Sequence, residues 1–141
     1  MTTKKSPIVY LTRRETFSAA HRLWADELSE HENRELFGPC AYDHGHGHNY
    51  VLEVTLRGPV DPKTGILVNL KEIRDVLHEL VVDGIDHRHL NHDAPLTRGI
   101  NPTAENLVVL FWGVLHRHYT GTLYEVRLRE TEKNWVAYRG E

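Results

Sequence analysis

Leu11, Phe17, Ala19 and His21 stand at odd positions within Ile8–His21, so an extended backbone would carry them on one face. The stretch predicts a long first strand. A second period-two run starts at His46, where His46, His48, Tyr50, Leu52, Val54 and Leu56 alternate with Asn49, Glu53, Thr55 and Arg57. Both histidines then sit at the end of a strand's apolar face. Gly58-Pro59 and Asp61-Pro62-Lys63-Thr64-Gly65 signal a turn, and Ile66 to Val68 is expected to return as the paired strand of a hairpin. The spacing then changes to three and four: Leu70, Ile73, Val76, Leu77, Leu80 and Val81 form the stripe of an amphipathic helix, capped by Asn69 and stopping near Asp83-Gly84. A second helix is expected after Asn101-Pro102, with Asn as cap, Pro at the first helical position, and Leu107, Leu110, Phe111, Val114 and Leu115 on one face. Gly121 opens a last hairpin in which Tyr124, Val126 and Leu128 point inward and Trp135 to Arg139 comes back. The polar stretch from Trp24 to Gly38 reads as a loop with a short helical turn.

This order predicts an α+β fold, an antiparallel four-stranded sheet with two helices on one face. A length of 141 residues fits a single domain, 1–141. Lys and Arg total 17 against 20 Asp and Glu, so the net charge of -3 gives no electrostatic reason to expect a nucleic-acid partner. No apolar run approaches the roughly 20 residues of a membrane span, and Thr2 to Ser6 lacks a hydrophobic secretory core. A cytoplasmic protein with no membrane partner is expected.

Cys40 is the single cysteine, which excludes an internal disulfide. The eleven histidines are a heavy load, with His44, His46 and His48 in one short stretch and His87, His89 and His92 in another. On a strand, residues two apart lie on one face about 6.5 Å apart, so the imidazoles of His46 and His48 can converge on one ion. Alternatively, the pair is a coincidence in a His-rich loop. His21, at the end of the other long strand and on the side of Phe17 and Ala19, is the candidate third ligand. Three imidazoles suit Zn²⁺ with one position left for water or substrate. Cys40 is near enough in sequence to face the same pocket as a base or nucleophile, as a further metal ligand, or as a small core residue. Asp86-His87 is either an oriented acid/base pair or a turn cap. Glu130 continues the row Tyr124, Val126, Leu128; its carboxylate can accept two N–H groups of a flat heterocycle or simply reach solvent at the strand's end.

Taken together and in order, Phe17-Ser18-Ala19-Ala20-His21-Arg22-Leu23, Leu36-Phe37-Gly38-Pro39-Cys40, His46-Gly47-His48-Asn49-Tyr50, Asp86-His87, Pro102-Thr103-Ala104-Glu105-Asn106 and Arg129-Glu130-Thr131 closely resemble the 6-pyruvoyltetrahydropterin synthase family. The likeness runs from about Phe17 to the C-terminal Tyr138-Arg139-Gly140-Glu141. It implies a tunnelling fold (T-fold), in which three subunits close a barrel and two trimers stack as a homohexamer with active sites between subunits. It implies zinc on His21, His46 and His48, Cys40 as the proton-abstracting base, and Asp86 and His87 as a relay. Glu130 would anchor the pterin, with Thr103 and Glu105 lining its pocket.

The implied reaction converts 7,8-dihydroneopterin triphosphate to 6-pyruvoyltetrahydropterin with loss of triphosphate. A sister branch, the 6-carboxytetrahydropterin synthases of the deazapurine pathway, releases acetaldehyde as well. The gap between Cys40 and His46, together with Leu36-Phe37-Gly38 and Asn49-Tyr50, resembles the pyruvoyl branch, whereas Asn101-Pro102-Thr103 is similar to the carboxy branch. A protein that keeps the zinc and pterin ligands without turnover, and a histidine pH switch, are the alternatives from other classes.

Overall fold

The computed structural model describes residues 5–141, so most of the Thr2 to Ser6 stretch lies outside the described residues. Two long strands, β1 (Ile8–His21) and β2 (His46–Pro59), pair antiparallel over their whole length, with Phe17 opposite Tyr50, Ala19 opposite His48 and His21 opposite His46. β4 (Leu123–Thr131) pairs with the other side of β2, and β5 (Asn134–Tyr138) with β4. A two-residue strand, β3 (Arg88–His89), adds a parallel pairing to β1 at Ala19 and Ala20. The sheet therefore has five strands in the order β3-β1-β2-β4-β5, one more than the pattern predicts. Two residues are too few to carry a periodicity, which is why β3 is invisible in the sequence.

One face of this sheet is covered. Phe17, Tyr50, Leu52, Val54, Val126 and Leu128 meet Ile73, Leu77, Val81, Leu107, Phe111 and Leu115 from the helices in one core. Phe17 and Tyr50 stack with centroids 4.8 Å apart, a contact that their opposed register dictates. The helix α2 (Leu70–Leu77) is capped by the Asn69 side chain, which accepts from the Lys71 N–H. It widens into a π turn at His78–Val82 and closes with the single turn α3 (Asp83–Ile85), so the predicted stripe is one irregular rod. Leu70, placed on its buried face by spacing, is exposed.

Four further departures have local causes. Ile66 to Val68 is not a strand, because β1 and β4 already occupy both edges of β2 and leave no partner for a returning chain. The second helix, α4 (Ala104–His118), is capped by Thr103, whose hydroxyl accepts from the Asn106 N–H; Asn101 and Pro102 lie before it. A β-bulge shifts the β2/β4 register between Thr55 and Leu56, so Leu123 turns into the core and Tyr124 turns away to meet the edge of Tyr10 at 4.9 Å. The polar stretch after Trp24 holds a capped helix, α1 (Glu30–Phe37), with a Ser29/Glu32 capping box. Asn33 on α1 is fully buried, its amide donating to the carbonyls of Ala25, Leu28 and Ser29 while its oxygen accepts from the Ala25 N–H. Among the described residues no helix is long and apolar enough to cross a membrane.

Candidate metal and pterin site

The β1/β2 register brings the histidines together. His21 lies opposite His46 on the covered face, His48 follows two residues on, and the ring centroids stand 5.3 Å (His21–His46), 4.9 Å (His21–His48) and 4.6 Å (His46–His48) apart. Cys40 joins them from a 3₁₀ turn, Gly38–Ala41, that follows α1. Its sulfur lies 3.0 Å from His46 Nε2, and one donor atom from each of His21, Cys40, His46 and His48 lies within 4.8 Å of all the others.

These donors fit a divalent ion. His21 is wholly buried, and its Nδ1 faces the Pro102 carbonyl at 3.1 Å and the Tyr50 hydroxyl at 3.2 Å. A carbonyl only accepts, so Nδ1 carries the proton and Nε2 presents a lone pair. That Nε2 is buried with no hydrogen-bond partner, and so is His48 Nε2. Glu130 Oε1 approaches His48 Nε2 at 3.3 Å, but without the alignment of a hydrogen bond. Buried lone pairs without partners are costly unless something fills the space between them. Burial also lowers the pKa of all three histidines, with mutual repulsion adding to the shift for His21 and His46, so each is neutral and ready to ligate at pH 7.

Burial takes His21 from 6.5 down to about 4. Between those values the unfolded chain binds a proton that the fold refuses, so the stability from neutral His21 is complete above pH 6.5 and is lost as pH falls toward 4, by about 3 kcal/mol. Urea midpoints of metal-free protein should decline over that window relative to a His21→Gln variant. Parallel profiles for the two proteins would refute the buried neutral imidazole.

The rest of the predicted set divides. Glu130 extends the β4 row beyond Leu128 into a cavity of about 750 Å³ that His48, Asp86 and His87 also line. Burial raises its pKa, and the Glu105 charge adds to the rise against the pull of His46. Glu105 is exposed on the first turn of α4, near Glu130, whereas the Thr103 hydroxyl serves as the cap. Asp86 is fixed to the edge of β1, where its Oδ1 accepts from the Ser18 N–H at 2.9 Å; the His87 N–H donates to the Ser18 carbonyl at 2.6 Å. That docking forces His87 to φ 60°, the one positive φ outside glycine among the described residues. His87 Nδ1 stands 3.0 Å from Asp86, and the rest of its side chain is open to solvent. Asp86 thus caps a strand edge and orients an imidazole at once. Within one subunit, however, Cys40 is paired with His46 and not with His87. Burial and the Glu130 charge push the Cys40 thiol above its ordinary pKa, and a cation bound beside it would act in the opposite direction.

Residues 10–141 match the family described as 6-pyruvoyl tetrahydropterin synthase. The chain belongs to the 6-pyruvoyl tetrahydropterin synthase family. It is 46% identical over 136 residues to the 6-pyruvoyl tetrahydrobiopterin synthase of Dictyostelium discoideum, covering 96% of this chain and 99% of that one. It is 43% identical over 138 residues to the Drosophila melanogaster protein of the same name, covering 96% and 82% of the two chains. The solved structure of Caenorhabditis elegans 6-pyruvoyl tetrahydropterin synthase superposes with a TM-score of 0.90 at 40% identity over 99% of this chain and 100% of that one. The tunnelling fold of this family is thus the fold seen here. Two contributors to the site escape sequence reasoning: the Pro102 carbonyl, which sets the His21 tautomer, and the Tyr50 hydroxyl beside the same nitrogen. Pro102 carries no signal of that role, since any residue supplies a carbonyl; Tyr50 is visible only as the next residue in the His46, His48 row.

Proposed function

We propose that this chain is a lyase that converts 7,8-dihydroneopterin triphosphate to 6-pyruvoyltetrahydropterin with elimination of triphosphate, using Zn²⁺ held by His21, His46 and His48. The observation that carries the proposal is the convergence of these three neutral imidazoles and the Cys40 thiol beside a cavity that contains Glu130. Family membership supplies the substrate class.

The zinc, when bound, acidifies C–H and O–H groups next to the side-chain hydroxyls it polarises. Cys40, as thiolate, takes the substrate proton. Glu130 accepts hydrogen bonds from the pterin N–H groups. Family likeness would also bring Thr103 and Glu105 to the pterin, although neither is among the residues that line this cavity and the Thr103 hydroxyl is engaged as the α4 cap. Asp86 holds His87 to shuttle protons, and the exposure of His87 suits a site completed by a neighbouring subunit. Every step is a proton transfer or the loss of triphosphate, so no outside oxidant is consumed.

The outer edge of β5 and most of the outer edge of β1 have no partner strand among the described residues. Open edges favour closure with further copies, in keeping with three subunits forming a barrel and two trimers forming a hexamer. We place the protein in the cytoplasm, as one domain spanning 1–141.

Incubation of zinc-loaded protein with fresh 7,8-dihydroneopterin triphosphate is expected to give the 6-pyruvoyl product by mass spectrometry, absent with Cys40→Ala. A 6-carboxy product with acetaldehyde would move the chain to the sister branch, and no product would leave a binding protein.

A further inference from the structure

We infer that Cys40 is a metal ligand before it is a base: in the substrate-free protein its sulfur closes the position that the three imidazoles leave open, and it is released when the pterin enters. The inference rests on the zinc-lyase reading above and deepens it. Four donors within 4.8 Å of one another make a His₃Cys set, not a His₃ set with a distant base. A tetrahedral zinc site has sulfur-to-nitrogen edges of about 3.5 Å, set by bonds of about 2.3 Å to sulfur and 2.0 Å to nitrogen. The 3.0 Å between Cys40 Sγ and His46 Nε2 is a thiol–imidazole hydrogen bond somewhat shorter than such an edge, so a small outward shift of the sulfur exchanges that bond for one to a shared ion. The unpartnered, wholly buried Nε2 of His21 faces the same centre.

The backbone holds the sulfur there. The Leu23 N–H donates to the Cys40 carbonyl at 2.7 Å, and Arg22 Nε donates to the carbonyl of the fully buried Ala41 at 3.2 Å. Both donors directly follow His21, so the end of β1 fixes the ligand and the sulfur together. Thiolate is a stronger zinc ligand than water. On metal loading the S–H bond breaks, its proton goes to solvent and the S–metal bond forms. On pterin entry that bond breaks and the electron pair stays on sulfur, which leaves a thiolate beside the substrate proton. Nothing is oxidised or reduced. The lone cysteine is masked until substrate arrives, which protects it from oxidation between turnovers.

Because Cys40 is the single cysteine, alkylation of the full-length protein by iodoacetamide reads this thiol alone. One equivalent of Zn²⁺ is expected to slow alkylation by about tenfold or more, since a ligated sulfur is a poor nucleophile. A free sulfur beside the cation would react faster instead, because the charge lowers its pKa, so an equal or higher rate overturns the inference. In the Co²⁺-loaded protein a thiolate-to-cobalt charge-transfer band is expected in the near ultraviolet, lost in Cys40→Ser with cobalt content unchanged, and lost in the wild type on addition of 7,8-dihydroneopterin, which has no triphosphate to eliminate. Absence of the band in the wild type, or its persistence with the pterin, overturns the inference. Neither readout needs turnover: a band without product removes the lyase reading and leaves the ligand, and product without a band does the reverse.

Discussion

His21→Ala is expected to abolish stoichiometric metal binding and to lower the unfolding free energy by about 2 to 4 kcal/mol. The ring is completely enclosed, so its removal leaves a cavity that the paired strands on either side cannot collapse. It also strips the Pro102 carbonyl of its donor and the Tyr50 hydroxyl of its neighbour, two buried polar groups that no water can reach without opening the core. Elemental analysis gives the first effect and urea midpoints the second. His46→Ala provides the contrast. His46 begins β2 and is only half-buried, so its loss should empty the site while costing less than about 1 kcal/mol of stability. Stoichiometric metal retained by His21→Ala would remove this residue from the ligand set.

Gly45→Ala should be nearly as damaging, although Gly45 touches no ion. Its φ is 69°, a conformation that costs alanine about 1 kcal/mol or more, and an added Cβ would lie 2.2 Å from the His21 carbonyl oxygen and 2.8 Å from its carbon. Neither backbone atom can swing aside, because His21 is the last paired residue of β1. Strand ends must separate, and with them His21 and His46. We expect a loss of at least about 2 kcal/mol and a fall in metal affinity of roughly tenfold or more, as for other groups that position ligands. Gly65→Ala isolates the conformational part: its φ is 77° with nothing within 4 Å of an added Cβ, so it should lose about 1 kcal/mol and keep the metal. Equal metal affinity in Gly45→Ala and wild type would show that the turn does not position the site.

Long periodic segments, and the histidines that the fold gathers into one cluster, are legible in the sequence. β1 follows from strand-type residues in an irregular alternation and the start of β2 from a clearer one, because a strand with one buried face has no freedom in which residues it hides. The same alternation places His46 and His48 on the covered face and Glu130 in line with Leu128. The helix stripes of α2 and α4 survive for the same reason, since burial of an apolar face is what stabilises them.

What the tertiary structure alone decides are relations between segments distant in the chain. No pattern announces β3, the bulge that turns Tyr124 outward, or the absence of a strand at Ile66 to Val68, because each depends on which edge of which strand is already taken. The positive φ of His87 comes from docking on Ser18, 69 residues earlier in the chain by number. Likewise the sequence names Cys40 without saying what it meets; a turn hydrogen-bonded to the end of β1 puts its sulfur against His46. Sequence periodicity fixes which face a side chain takes, through the local geometry of helix and strand. Which atoms meet across that face is set by strand register, edge occupancy and loop docking, which are properties of the assembled chain.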